Sequence, residues 1–177
     1  FTGGPNAARH VIGNSTHNFA EVSLELGGKS PIIVFEDADI DSAVNGAAGG
    51  IFGASGQSCV AGSRLLLHEA IADQFIEKMR AIATGIKIGD PMLEQTEMGP
   101  LCTFGQLETI ERELAHVKTE GATVICGGQR AKAGSDMFFQ PTIVACPSPD
   151  LRIVDTELFG PVVTVLRFKD EADAIRL

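Results

Sequence analysis

The 177-residue chain has the composition of a soluble globular protein, with 44% hydrophobic and 21% charged residues. Its 14 Lys and Arg residues against 23 Asp and Glu residues give a net charge of −9. That charge repels phosphate groups, so we expect neither nucleic acid nor an anionic membrane surface as a partner. No apolar run approaches the roughly 20 residues of a membrane span, and the absence of Trp and Tyr argues against a module built on aromatic anchors.

Predicted strands and helices alternate along the chain. A glycine pair, Gly3 and Gly4, precedes a short helical segment that reaches about Ile12, and alternating polar and apolar residues predict a strand over 22–26. Further strands are predicted at 31–35, 65–67, 123–125, 141–144 and 161–166. Apolar residues at helical spacing predict helices at 39–48, 69–83, 103–117 and 170–177. This order indicates an α/β fold with a mainly parallel sheet flanked by helices.

The two ends of the chain do not resemble natural termini. The sequence begins at Phe1 rather than Met and ends at Leu177 inside a predicted helix. We therefore expect a fragment of a larger protein, truncated at both ends.

The four cysteines are spaced too irregularly for a zinc site or a disulfide framework. We therefore predict no metal site, and we expect Cys102, Cys126 and Cys146 to be small buried side chains. Reduced thiols and the lack of a leader sequence favour a cytoplasmic location. Cys59 differs, because it lies between glycines in the segment GQSCVAGSR, residues 56–64. Its small neighbours predict an exposed thiol whose surrounding amides could stabilise a thiolate or an oxyanion, with an unreactive thiol as the alternative.

Glu25 stands at the end of the predicted strand 22–26, immediately before a sharp glycine turn. Strand alternation directs it away from the apolar face of that strand, and strand ends commonly carry catalytic groups in α/β proteins. We expect a partly buried carboxylate there, with a raised pKa, to act as a general base on water. The alternative is a solvated strand-end glutamate with no role in chemistry.

Two further segments have the residue types of a nucleotide site. Gly3 and Gly4 lead into a helix N-terminus, an arrangement that can hold a phosphate, although no G-x-G-x-x-G motif is present. Glu157 and Phe159 lie on a predicted loop before a strand, where an acid can accept ribose hydroxyls and an aromatic ring can pack on a nicotinamide. Each segment alone is equally compatible with an ordinary turn.

Together these segments are much more specific. ELGGKSP at 25–31, GQSCVAGSR at 56–64 and ELFGP at 157–161 resemble the NAD(P)-dependent aldehyde dehydrogenase superfamily in motif, order and spacing. The resemblance extends over the whole chain through IGDP at 88–91, MGP at 98–100 and QPT at 140–142. It implies an aldehyde-dehydrogenase-like catalytic domain, NAD or NADP as cofactor, a small-molecule aldehyde as substrate, and a homo-oligomer, dimer or tetramer, at full length.

The resemblance also implies roles for individual residues. Cys59 matches the nucleophile that forms a thiohemiacetal and then a thioester, and Glu25 matches the base that activates water to hydrolyse the thioester. Glu157 matches the acid that binds the nicotinamide ribose, and Phe159 lies beside the nicotinamide ring. The remaining matches are to residues that line the ring or the diphosphate, namely Leu26 and Gly27 for the ring and Gly3 and Gly4 for the diphosphate.

The resemblance covers about a third of such an enzyme. Residues 1–27 match the last piece of the dinucleotide-binding domain, and residues 28–177 match a catalytic domain that is incomplete at its C-terminus. We expect the fragment alone not to turn over aldehydes, because most of the cofactor domain is missing.

Three alternatives remain open at this stage. An acylating, coenzyme A-dependent semialdehyde dehydrogenase would use the same nucleophile, but such enzymes generally lack the base at the position of Glu25. A thiol hydrolase would pair Cys59 with a histidine, of which the chain has His10, His17, His68 and His116. A non-catalytic remnant used for assembly is the third alternative.

Overall fold

The computed structural model describes residues 1–117 and 119–177, whose strands form two separate sheets. The first sheet has two short parallel strands, β1 (Thr2–Gly3) and β2 (Glu25–Leu26). The second has five strands in the order β3-β4-β7-β6-β5. These are β3 (Pro31–Val34), β4 (Arg64–His68), β5 (Thr123–Cys126), β6 (Thr142–Ala145) and β7 (Val162–Phe168).

The five-stranded sheet is parallel except at one edge, where β5 runs antiparallel to β6. The helices along the chain are α1 (Pro5–Ser15), α2 (Ile40–Phe52), α3 (Glu69–Gly85), α4 (Phe104–Val117), α5 (Arg152–Asp155) and α6 (Glu171–Arg176). The predicted α/β class with a mainly parallel sheet is confirmed. No helix within residues 1–117 and 119–177 is long and apolar enough to cross a membrane.

The alternation of side chains in β4 divides the interior into two cores. Leu65 and Leu67 pack with α2 and α3 on one face of the sheet, and Leu66 packs with α4 on the other. All three leucines are fully buried, because both faces of the sheet are covered by helices. The central strands therefore form a rigid support, and the loops at their ends can carry functional groups.

Local capping explains where two helices begin. The Asp39 side chain accepts a hydrogen bond of 2.8 Å from the Ser42 amide and starts α2. The Thr103 side chain accepts one of 3.3 Å from the Gln106 amide at the start of α4. The sequence predicts a helix from about Asp39 through Ala48 that fails at the glycine-containing segment 53–56, and α2 accordingly ends at Phe52.

The strand predicted over 22–26 is largely absent, since only Glu25–Leu26 forms a ladder. The predicted alternation of buried and exposed side chains is confirmed as far as Leu24, since Val22 and Leu24 are half-buried and Ser23 is exposed. The partner strand β1 contributes just two residues, so the residues before Glu25 have no ladder to join.

Candidate active site

An open cleft of about 520 Å³ lies at the ends of β1 and β2, bounded by the loop after α2 and the loop before β7. All eight site residues predicted from the sequence line this cleft. They are Gly3, Gly4, Glu25, Leu26, Gly27, Cys59, Glu157 and Phe159. The structure therefore brings together residues that lie up to 156 positions apart in the chain, counted from Gly3 to Phe159.

The floor of the cleft is formed by the parallel pair β1 and β2. Thr2 lies opposite Glu25 and Gly3 lies opposite Leu26, so both strands end at the cleft. Gly4 follows immediately and caps α1, with its carbonyl accepting a hydrogen bond of 3.1 Å from the Ala8 amide. A Cβ added to Gly4 would meet no atom within 4 Å, so the first turn of α1 is accessible from the cleft. Free amides at a helix N-terminus favour an anionic group.

The wall that carries Cys59 begins with an unusual turn. Ala54, Ser55 and Gly56 have φ values of 49°, 56° and 70°, so three successive residues adopt the left-handed conformation. Because Ala54 and Ser55 are not glycine, this conformation costs about 1–3 kcal/mol at each of them. The buried Ser55 hydroxyl donates to the Gly99 carbonyl at 2.9 Å and holds the turn in place.

Gly56 brings this wall against the loop before β7. A Cβ on Gly56 would overlap the carbonyl oxygen of Gly160, so only glycine allows the two backbones to approach this closely. Gln57 adds a second tie, because its side chain donates to the Pro100 carbonyl at 3.2 Å and accepts from the Cys102 amide at 2.8 Å. The Cys59 loop is thus fixed on two sides.

Cys59 itself is exposed, as its glycine-framed position predicts. Among the described residues its backbone amide donates no hydrogen bond, whereas the Ala61 amide donates to the Ser58 carbonyl at 3.1 Å. A thiol beside a free amide can add to a carbonyl carbon and have the resulting oxyanion stabilised at the same residue.

The opposite wall carries Glu157 and Phe159 on either side of the buried Leu158. The Glu157 carboxylate packs directly on Gly27, where an added Cβ would overlap both of its oxygens. Phe159 is 41% exposed and has a φ of 50°, a left-handed conformation that is rare for an aromatic residue. Because Leu158 anchors the loop in the core, its two neighbours are directed toward the cleft.

Lys29 is a functional candidate that the sequence did not identify. Its ammonium donates a hydrogen bond of 3.0 Å to the Thr156 carbonyl, immediately before Glu157. Burial lowers the pKa of Lys29 from 10.5 to about 8, since an apolar environment disfavours the charged form. Its position in a glycine turn gave no sign of burial, which arises from packing against a segment 127 residues away.

Two expectations from the sequence are wrong. Glu25 is exposed rather than partly buried, because the short β2 leaves it at the open rim of the cleft. Cys102 is exposed rather than buried, because it lies in the loop that Gln57 holds at the surface. Of the other thiols, Cys146 is buried and Cys126 is half-buried, as predicted for small hydrophobic side chains.

Three residues that the sequence analysis did not assign also line the cleft, namely Thr2, Gln57 and Ser58. Gln57 and Ser58 belong to the same segment as Cys59, so their proximity to it was available from the motif. The described lining of the cleft includes no histidine, so Cys59 has no imidazole partner there. In the part of the chain that the structure describes, no group of three His, Cys, Asp or Glu side chains could hold a metal ion.

Comparison with known proteins gives a consistent result. The model of the aldehyde dehydrogenase family matches residues 1–177. The chain is 50% identical to a (Z)-2-((N-methylformamido)methylene)-5-hydroxybutyrolactone dehydrogenase of Acinetobacter baylyi, over 99% of this chain and 36% of that protein. It is 40% identical to a chloroplastic betaine aldehyde dehydrogenase of Atriplex hortensis, over 100% of this chain and 36% of that protein.

The solved structures agree with these relatives. The chain superimposes with a TM-score of 0.95 on a betaine aldehyde dehydrogenase of Staphylococcus aureus in complex with NAD+. That protein is 40% identical, and the match covers 99% of this chain and 36% of that one. The chain thus spans about a third of the length of the relatives it matches.

Proposed function

Because the chain belongs to the aldehyde dehydrogenase family, we propose that it carries the nucleophile, the base and part of the cofactor site of an enzyme that oxidises aldehydes to carboxylates with NAD(P)+. The observation that carries this proposal is the single cleft shared by Cys59, Glu25 and Glu157. Since the relatives are nearly three times as long, with 36% of their length matched, the reaction is proposed for a protein of full family length.

The residues present fit a nicotinamide dinucleotide. Leu26, next to Gly27, and Phe159 on the opposite wall both present exposed apolar surface to the cleft, as a flat nicotinamide ring requires. Glu157 offers carboxylate oxygens to ribose hydroxyls, and Gly4 lies at a helix N-terminus suited to a diphosphate. A bound dinucleotide would supply the acceptor for the electron pair that leaves the aldehyde carbon. The S. aureus relative in complex with NAD+ supports NAD+ as that cofactor.

In the proposed first step, the Cys59 thiolate adds to the aldehyde carbon, and the carbonyl π electrons become an alkoxide. The Cys59 amide stabilises that oxyanion, because preorganised donors interact most strongly where charge develops. Loss of hydrogen with its electron pair from the carbon converts the thiohemiacetal into a thioester on Cys59. Covalent catalysis of this kind divides one difficult oxidation into two accessible steps.

In the proposed second step, Glu25 takes a proton from water as the water attacks the thioester carbon. The tetrahedral intermediate collapses to the carboxylic acid and the Cys59 thiolate, and the proton of the acid and the proton held by Glu25 both pass to solvent water. The exposed position of Glu25 at the rim gives it direct access to solvent. A base in this cleft favours hydrolysis over acyl transfer to coenzyme A, and the absence of histidine from the described lining disfavours a thiol hydrolase.

The domain assignment is part of the same proposal. Residues 1–27 end the dinucleotide-binding domain and residues 28–177 belong to the catalytic domain, which is supported by the change of sheet between β2 and β3. A homo-oligomer and a reducing compartment such as the cytoplasm also stay predictions, the latter favoured by four free cysteines.

The proposal is tested by expressing the full-length protein that contains this chain and following NAD+ and NADP+ reduction with a panel of aldehydes. Cys59→Ala should abolish the reaction, whereas Cys126→Ala, which removes a half-buried thiol outside the cleft, should retain it. Full activity in Cys59→Ala, or no reduction of either cofactor by the unmodified protein, contradicts the proposal.

A further inference from the structure

Lys29 is a charged side chain that the proposed reaction does not use. It lies in the turn between β2 and β3, partly buried, with its ammonium hydrogen-bonded to the Thr156 carbonyl at 3.0 Å. That carbonyl belongs to the peptide bond that joins Thr156 to Glu157. The hydrogen bond from Lys29 therefore holds the loop immediately before Glu157, the residue proposed to bind the ribose.

The other end of this segment is also held by an ion pair. Arg152, the first residue of α5, contacts the buried Glu113 of α4 at 2.5 Å. Thr156 then returns to α5, because its amide and hydroxyl both donate to the Arg152 carbonyl, at 3.1 and 2.8 Å. Five residues, 152–156, are thus fixed at both ends, so Glu157 leaves the segment in a defined direction.

We propose that Lys29 is a positioning residue, whose ammonium holds the Thr156 carbonyl and thereby keeps the Glu157 carboxylate against Gly27, in the place from which it receives the cofactor ribose. This inference rests on the role of Glu157 under the proposed function. It adds a residue of the catalytic domain that controls cofactor binding without touching the cofactor.

The surroundings of Lys29 make the charge of its ammonium dependent on pH near 8. The ionisable groups that face it are Cys146 after β6, Arg64 of β4, Asp155 of α5 and Glu157 itself. Desolvation is the largest effect and lowers the pKa of Lys29 to about 8, and Arg64 acts in the same direction, whereas Cys146 and the two acids favour the ammonium. A charged donor makes a stronger hydrogen bond to a carbonyl than a neutral one, so the tie weakens as Lys29 loses its proton.

The test compares three variants of the full-length protein that contains this chain. Lys29→Met removes the ammonium and keeps an unbranched side chain, and Lys29→Arg keeps a charged donor. Lys78→Met removes an exposed ammonium of α3 that is paired with Asp41 of α2 and does not line the cleft. The measurements are the NAD+ dissociation constant, the rate of the first turnover, and the rate of Cys59 alkylation by iodoacetamide.

We expect Lys29→Met to weaken NAD+ binding and slow the first turnover by about tenfold each, because small displacements of positioning groups have effects of this order. Lys29→Arg should recover most of both losses, and Lys78→Met should lose neither. Alkylation of Cys59 should stay within about twofold in all three, which separates a local effect on Glu157 from general damage to the cleft.

The variant Glu157→Gln separates the inference about Lys29 from the proposed role of Glu157 in binding the ribose. If Glu157→Gln weakens NAD+ binding but Lys29→Met behaves like Lys78→Met, the inference about Lys29 is wrong and the proposed function stands. If Glu157→Gln leaves NAD+ binding unchanged, the ribose role of Glu157 is wrong, and the inference is overturned with it. If both single variants weaken binding, the double variant should be no weaker than Glu157→Gln alone, since Lys29 acts through Glu157; additive losses overturn the inference.

A measurement that needs no destabilising variant covers the case in which Lys29→Met fails to fold. NAD+ affinity of the unmodified protein is followed from pH 6.5 to 9.5, beside that of Lys29→Arg. We expect the unmodified protein to lose affinity as the pH rises through about 8, and Lys29→Arg to lose much less. Parallel profiles for the two proteins overturn the inference.

Discussion

The Glu157 carboxylate rests on the backbone of Gly27, so closely that any Cβ at residue 27 would overlap both carboxylate oxygens. This contact joins the end of β2 to the loop before β7, two segments separated by 130 residues in the sequence. The glycine therefore leaves room for the Glu157 carboxylate, the group proposed to bind the cofactor ribose.

Gly27→Ala should displace Glu157 from the cleft wall. We expect NAD+ binding by the full-length protein to weaken by about tenfold, since the carboxylate must move to accommodate the new methyl group. Gly28→Ala is a matched control, because a Cβ at Gly28 would meet no atom within 4 Å. Equal NAD+ dissociation constants for the two variants, measured by calorimetry, would show that the contact has no role in binding.

Gly56→Ala should destabilise the protein rather than alter cofactor binding selectively. Gly56 has a φ of 70°, and its Cβ would overlap the Gly160 carbonyl, so the substitution combines backbone strain with a steric clash. We expect a loss of about 2–4 kcal/mol, seen as a lower melting temperature. Gly53→Ala, at a position with open space around the Cβ, should melt close to the unmodified protein. A melting temperature for Gly56→Ala equal to that of Gly53→Ala contradicts this explanation of the loop packing.

Thiol labelling should follow the exposures found in the structure. Iodoacetamide should modify the exposed Cys59 and Cys102 first, and Cys146 far more slowly, because Cys146 is buried and its burial raises the thiol pKa to about 11. Saturating NAD+ should protect Cys59 and leave Cys102 unprotected, since only Cys59 lines the cleft. Mass spectrometry of tryptic peptides identifies the labelled residues, and equal protection of Cys59 and Cys102 would argue against a cofactor in this cleft.

The half-buried Lys29 should make stability depend on pH in the alkaline range. Its pKa is about 8 in the folded protein against 10.5 for the ordinary side chain, so between these values the unfolded chain binds more protons. Stability therefore rises with pH across this window, by up to about 3 kcal/mol for the full shift. Below pH 8 both states are protonated, and the folded state bears the whole cost of burying the charge.

Lys29→Met lacks this titration and should show the opposite trend relative to the unmodified protein. At pH 7 its melting temperature should exceed that of the unmodified protein by the largest margin, and this margin should disappear by pH 10. Lys78→Met, which removes an exposed ammonium, serves as the control. A difference between Lys29→Met and the unmodified protein that stays constant from pH 7 to 10 would show that Lys29 is not desolvated in the folded state.

The α/β class could be predicted from local patterns, whereas the cleft residues were predicted from the resemblance of three segments to a known family, since each segment alone is also compatible with an ordinary turn. The leucines of β4 and the glycines around Cys59 are local features, which can be recognised from a few neighbouring residues. The exposure of Glu25 could not be predicted, since it depends on a partner strand of two residues. The burial of Lys29 and the contact between Gly27 and Glu157 depend on packing between distant segments, which no local pattern encodes.

The roles of Cys59 as nucleophile and Glu25 as base are tested most directly by the time course of NAD+ reduction by Glu25→Gln in the full-length protein. Glu21→Gln serves as an exposed control outside the cleft. For Glu25→Gln we expect a burst of one equivalent of reduced nicotinamide per active site, followed by a slow steady state, with the acyl group found on Cys59 by mass spectrometry. Glu21→Gln should turn over continuously. A Glu25→Gln protein that reduces NAD+ at the full steady rate, or that yields no burst and no acyl group on Cys59, contradicts the assignment of Cys59 as nucleophile and Glu25 as the base that releases its thioester.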